Sequence, residues 1–157
     1  MTDHRQTTLV LVADDEVAIR MICRVNLEVA GLEVVEAADG QEALEVARRE
    51  QPAAIVLDVM LPGLDGFQVA DDLLSDPDTA DIPIVFLSGR ADQEAQVRGL
   101  KLGGIAYITK PFDPLELVTT LVRIVGEDPR KWEKDRRARL QALHAARRLH
   151  GSAAPAN

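Results

Sequence analysis

Five polar side chains occupy positions from which chemistry could be done. Asp14 and Asp15 close the first short apolar run of the chain, Asp58 the third, Ser88 the fourth and Lys110 the fifth. Three carboxylates brought together at such run ends would repel one another, by about 4 kcal/mol per pair at 4 Å and an effective dielectric of 20. A positive charge must therefore sit among them. Mg2+ suits a few carboxylates supplemented by phosphoryl oxygens and water. Lys110 offers a second positive charge, and the Ser88 hydroxyl can donate to a phosphoryl oxygen. The chemistry this set supports is transfer of a phosphoryl group onto a carboxylate, a step catalysed by positioning and by spreading negative charge. Asp58 stands alone at its run end, between the acid pair and the lysine, and is the expected nucleophile; Asp14 and Asp15 are the expected metal holders.

Taken singly, each residue has an ordinary reading. An Asp after a strand commonly caps the next helix, a Ser before Gly89 is a turn residue, and a lone Lys is a solvated charge. Asp39 and Asp65 keep that reading. The other residues escape it together, because four separate run ends each contribute to one site.

The elements that must position them alternate short apolar runs with longer amphipathic stretches. Strands are predicted at residues 9–12, 34–35, 54–57, 84–87 and 106–109, and helices at 16–30, 41–50, 67–74, 92–102 and 114–125. The runs are apolar throughout, as strands buried on both faces of a parallel sheet are. The predicted fold is α/β: a doubly wound, flavodoxin-like five-stranded parallel sheet of order 2-1-3-4-5 with five helices and a helical tail. In such sheets ligands bind beyond the carboxyl ends of the strands where the order reverses, here between the first and third. In the first helix Ala18, Ile22, Val25 and Val29 share one face, the expected core face, and Gly31 follows where a left-handed cap would sit.

The chain of 157 residues has room for one compact domain and a tail. Its single cysteine, Cys23, lies in an apolar helical pattern and is read as a core residue. No stretch has the roughly 20 apolar residues of a membrane span, and the N-terminus lacks a signal-type apolar core, so a cytoplasmic protein is expected. The formal net charge is −8, and it is uneven. Residues 127–157 carry eight Lys and Arg against four acids, a net of +4, which leaves −12 on residues 1–126. An acidic body of residues 1–126 and a basic tail of 127–157 follow from this shift, together with Gly126 and Pro129. Direct nucleic-acid binding by the body is disfavoured, since such affinity is built from phosphate neutralisation.

The motifs Val12-Ala-Asp-Asp-Glu16, Leu57-Asp-Val-Met-Leu-Pro-Gly-Leu-Asp-Gly66, Leu87-Ser-Gly89 and Leu102-Gly-Gly-Ile-Ala-Tyr-Ile-Thr-Lys-Pro-Phe112 together resemble the receiver domain of bacterial two-component response regulators, over residues 8–125. The resemblance implies a phosphorelay switch rather than an enzyme. Asp58 would accept phosphate from a sensor histidine kinase or phosphotransfer protein, with Mg2+ held by Asp14, Asp15, Asp58 and the backbone carbonyl of Met60. Ser88 would be the switch hydroxyl, Lys110 the site lysine before a cis bond to Pro111, and Tyr107 the aromatic switch residue. Arg90 falls where the family tunes the access of water. Phosphorylation would rearrange the fourth helix, fifth strand and fifth helix, changing self-association or partner binding. Where the family has Gly-Ala-Asp before its last strand, this chain has Gly103-Gly-Ile105, which adds backbone freedom and an apolar residue near the output face.

The tail over 128–150 is expected to be helical, with Leu140, Leu143 and Ala146 at three-residue spacing, Trp132 alone ahead of them, and a disordered end from Gly151. It is too short for a helix-turn-helix domain. It could pack or pair as a terminal helix and support a homodimer, begin a linker to a missing output domain, or serve as a basic arm; His144 and His150 are given no chemistry. The main rival function is a magnesium-dependent aspartate-nucleophile phosphohydrolase, whose helper acid would stand two residues beyond a nucleophile after the first strand. Here the acids are adjacent. A degenerate docking module would lack Asp58 or Lys110, and both are present.

Overall fold

The computed structural model describes residues 8–151, and the side chains as far as residue 146. Of the end expected to be disordered from Gly151, Gly151 itself is helical, while 152–157 and the side chain of His150 lie outside the described residues. Five parallel strands, β1 (Leu9–Ala13), β2 (Glu33–Ala37), β3 (Ala54–Asp58), β4 (Ile84–Ser88) and β5 (Ala106–Thr109), form one sheet in the order β2-β1-β3-β4-β5. Helices α1 (Val17–Val29), α2 (Gly40–Glu50), α3 (Gly66–Ser75), α4 (Gln93–Lys101) and α5 (Pro114–Gly126) follow the strands in turn, and α6 (Pro129–Gly151) follows α5. This is the predicted flavodoxin-like architecture.

The uninterrupted apolar runs now have a geometric cause. Side chains alternate across a strand, and both faces of this sheet are covered. Leu11, Ala13, Ile55, Leu57, Ile84 and Phe86 point to the side packed by α2 and α3. Val10, Val12, Ala54, Val56, Val85 and Leu87 point to the side packed by α1 and α5. All five residues of β3 and of β4 are buried, as central strands require.

Four helix starts are set by aspartates. Asp39, Asp65, Asp92 and Asp113 accept from the backbone amides of Glu42, Gln68, Ala95 and Leu115, and Gln68 completes a capping box with Asp65. Asp39 and Asp65 are thus caps, as read. Gly31 has φ of 91°, which suits the left-handed position past α1.

The predicted core face of α1 is not the buried one. Cys23 and Leu27 are fully buried, whereas Ala18, Ile22, Val25 and Val29 are exposed, with Val29 at 85%. Two apolar stripes run along this helix, and polar anchors select between them. Arg20 pairs with Glu36 on β2 at 3.1 Å and Arg24 pairs with the same carboxylate at 2.8 Å, while Arg20 Nη1 donates to the Asp14 carbonyl at 2.7 Å. These bonds fix the roll of the helix and turn the Val25 stripe outward.

Gly104 also has a different reason from the one expected. A Cβ there would lie 2.6 Å from the Phe86 ring, so close packing rather than backbone freedom excludes a side chain. Among the described residues no helix is long and apolar enough to cross a membrane.

Candidate functional site

The carboxyl ends of β1, β3, β4 and β5 gather the predicted residues at the point where strand order reverses. The strand register pairs Ala13 with Leu57 and Asp58 with Leu87, so Asp14 and Asp58 leave neighbouring strands at the same level. Asp14, Asp58 and Ser88 are all buried, at 1%, 3% and 0% exposure. Lys110 reaches across from the end of β5. Its Nζ lies 2.7 Å from Asp14 Oδ2, 3.0 Å from Asp58 Oδ2 and 3.6 Å from Glu16 Oε1.

Each acid is oriented by backbone. Glu16 N donates to Asp14 Oδ1 at 2.9 Å, and Met60 N donates to Asp58 Oδ1 at 3.0 Å. The contact of Asp14 Oδ2 with Lys110 is close but poorly aligned; it is an ion pair, and this buried oxygen accepts no hydrogen bond. Asp15 is exposed at the rim, yet its carboxylate can come within 4.8 Å of those of Asp14 and Glu16.

The electrostatics follow. Burial pushes the Asp58 carboxyl up to about 6, with the Asp14 charge adding to it and with the Met60 amide and Lys110 opposing. Burial works against the Lys110 charge, but the negative charges of Asp14 and Asp58, with the hydrogen bond to Asp58, outweigh it and raise the lysine above its ordinary value. Cys23, under the same strand ends, is pushed up to about 12 by burial and by the charge of Asp14, which leaves it a neutral core thiol.

Ser88 and Tyr107 form the far wall. Ser88 Oγ accepts from Arg90 N at 3.1 Å, so its hydroxyl proton is not committed by that bond. Lys110 N donates to the Ser88 carbonyl at 2.8 Å. Tyr107 is buried, its hydroxyl donating to the Arg90 carbonyl at 2.7 Å. The Lys110–Pro111 bond is cis, as the resemblance implied.

The sequence reading passed over two residues. Glu16 joins the acidic group and faces Lys110; its adjacency to the Asp14-Asp15 pair was the available signal. The second is Gly66, where a Cβ would lie 2.1 Å from the Asp58 carbonyl oxygen. Its amide donates to the Val59 carbonyl at 2.7 Å, so the β3–α3 loop folds back against the end of β3 as only glycine allows.

The family model for the response regulator receiver domain matches residues 10–122. This chain belongs to the response regulator receiver family. A relative named a probable transcriptional regulator, ycf27, from Porphyridium aerugineum, is 44% identical over 112 residues, covering 71% of this chain and 45% of its own length. The phosphate regulon transcriptional regulatory protein PhoB of Pseudomonas aeruginosa is 42% identical over 116 residues, 74% of this chain and 51% of that protein. This receiver therefore spans about half the length of the curated relatives it matches. The chemotaxis response regulator CheY4 of Vibrio cholerae superposes with a TM-score of 0.71 at 33% identity, covering 76% of this chain and 99% of that one. Receivers of this family are signalling switches rather than enzymes, and they interact with histidine kinases.

Proposed function

We propose that this receiver is switched by phosphorylation of Asp58, with the phosphoryl group supplied by a sensor histidine kinase or phosphotransfer protein. The observation that carries this reading is a buried Asp58 carboxylate flanked by Asp14 and Lys110 where the strand order reverses. An Asp58 oxygen attacks phosphorus as the bond from phosphorus to the donor breaks, leaving the electron pair on the donor and an acyl phosphate on Asp58. Lys110 and the Ser88 hydroxyl would meet the oxygens that carry the transferred charge.

The donor set fits Mg2+. It is all oxygen, it places four carboxylates (Asp14, Asp15, Glu16 and Asp58) against one Lys110, and it leaves Asp14 Oδ2 without a hydrogen bond. Asp14, Asp15, Asp58 and the Met60 carbonyl are the residues that would hold the ion, which would supply charge neutralisation for the incoming phosphoryl group.

The outward stripe of α1 suits the approach of that donor. Ala18, Ile22, Val25 and Val29 follow the 4-3-4 spacing by which one helix packs along another, and exposed Val17 and Leu115 extend the patch toward the site. The functional body is residues 1–126, with 127–157 as a basic appendage, and the cell compartment is the cytoplasm. The face made by α4, β5 and α5 is the proposed output surface, acting through self-association or a partner. Any transcriptional role like those named for the longer relatives would call for DNA contacts outside the acidic body.

Incubation with Mg2+ and acetyl phosphate, followed by intact mass, tests the acceptor. One added phosphoryl group is expected on the wild type and none on Asp58→Ala. A modification that survives the substitution, or that forms equally in excess chelator, would overturn the assignment.

A further inference from the structure

Helix α6 lies across the output face. Its inward stripe is Trp132, Arg136, Leu140 and Leu143, all half-buried, while no residue from 129 to 146 is fully buried. Trp132 and Ile105, the latter just ahead of β5, both pack against the core layer beneath α1 and α5. Polar bonds then tie α6 to both ends of α4. Arg136 Nη1 donates to the Leu100 carbonyl at 3.0 Å, and the Gln93 side chain, in the first turn of α4, donates to the Leu143 carbonyl. Arg139 Nη2 donates to the Tyr107 carbonyl at 3.3 Å, capping the open edge of β5, and Arg123 on α5 faces Asp135 at 3.8 Å.

The helix is held without being sealed. Trp132 Nε1 and Arg136 Nε are buried donors with no acceptor, a costly condition that undocking would relieve by exposing them to water. A cavity of about 470 Å³, lined by Leu74, Ile82, Ile105, Trp132 and Arg136 among others, lies under the root of the helix. Such an interface is stable enough to form and weak enough to open.

The same bonds run back to the strand-end site. Ser88 Oγ holds the Arg90 amide, the Arg90 carbonyl holds the Tyr107 hydroxyl, and α4 begins three residues after Arg90 with Gln93, which holds Leu143. A Ser88 hydroxyl drawn toward a phosphoryl group on Asp58 lets go of the Arg90 peptide. The loop into α4 then shifts, and the Gln93 anchor shifts with it.

We infer that α6 is a phosphorylation-released cover, docked across α4, β5 and α5 in the structure described and freed when Asp58 carries a phosphoryl group. This rests on Asp58 being the acceptor. Linkage makes the effect reciprocal: whatever undocks α6 must favour the phosphorylated arrangement.

Trp132 is the single tryptophan of the chain and reports directly on docking. The test uses the full chain with Mg2+ and acetyl phosphate, with intact mass, tryptophan emission and amide exchange read on the same samples. The expected result is one added phosphoryl group, a red-shifted Trp132 emission and a roughly tenfold loss of amide protection across residues 129–146. The double variant Arg136→Ala with Arg139→Ala should show the red shift without phosphate and should phosphorylate faster. A full mass shift with unchanged emission and protection would overturn the cover while leaving the acceptor intact. No mass shift at all would remove both.

Discussion

Helices α1 and α6 carry side-chain stripes of nearly the same spacing, and the protein uses them in opposite ways. On α1 the 4-3-4 set of Ala18, Ile22, Val25 and Val29 faces out, while Cys23 and Leu27 face the sheet. On α6 the set Trp132, Arg136, Leu140 and Leu143 faces in. Periodicity establishes that a helix is amphipathic but not which way it rolls. The roll is chosen by polar anchors: Arg20 and Arg24 on Glu36 for α1, and Gln93, Arg136 and Arg139 on backbone carbonyls for α6. The outcome is a receiver with one apolar helix face exposed on α1 and with the face of α4, β5 and α5 covered by α6.

The sharpest way to break this contrast is through stability. Leu27→Ala should cost about 3 kcal/mol, within the range for emptying a closed core site, while Val25→Ala and Val29→Ala should stay within about 0.5 kcal/mol. Urea titration followed by circular dichroism measures all three. Equal losses at Leu27 and Val25 would mean that α1 is rolled the other way.

The open face can be tested by function. Val25→Asp places a charge in the middle of the exposed stripe without touching the strand-end site. Transfer from a cognate kinase should slow about tenfold, equivalent to about 1.4 kcal/mol of lost docking. Modification by acetyl phosphate, which needs no helical surface, should be unchanged. Slowing in both assays would locate the defect in the site instead.

Much of this organisation was legible in the sequence. The five strands, their order and the convergence of Asp14, Asp58, Ser88 and Lys110 follow from where apolar runs end, because a run end is a strand end and strand ends in a parallel sheet share one edge. The caps at Asp39 and Asp65 were equally plain, since their chemistry is local. What escaped was tertiary. The outward roll of α1 depends on Glu36, a residue on another element. The closeness of Gly66 to the Asp58 carbonyl and of Gly104 to Phe86 depends on contacts that adjacency in the chain does not reveal. On α6 the visible pattern was Leu140, Leu143 and Ala146, but Ala146 is exposed and Trp132, seemingly alone, begins the stripe that docks.

Between the two faces, the strand-end site should show its own signature against pH. With Asp58 pushed up to about 6 from an ordinary 3.8, the folded chain holds a proton between those values that the unfolded chain has released. Stability therefore falls as pH rises through that window and levels off above it. Asp58→Asn should abolish this slope and raise stability at pH 7 by about 1 kcal/mol, after allowance for the neighbouring Lys110 and for solvent screening. Added Mg2+ should flatten the wild-type slope by stabilising the carboxylate. A wild-type stability profile that rises from pH 4 to 6 in the absence of metal would contradict this electrostatic account.

The smallest effect sharpens the contrast most. Leu140 and Leu143 are only half-buried, so neither can contribute like Leu27. Replacing either by Ala should lower global stability by about 0.5 kcal/mol or less, because the cover can open while the sheet stays folded. Amide exchange should nonetheless rise locally in residues 129–146 and in the first turn of α4, where Gln93 loses its partner, with α1 unaffected. A loss at Leu140 as large as that at Leu27 would make α6 an integral layer of the receiver, and the distinction between a face left open and a face reversibly covered would no longer hold.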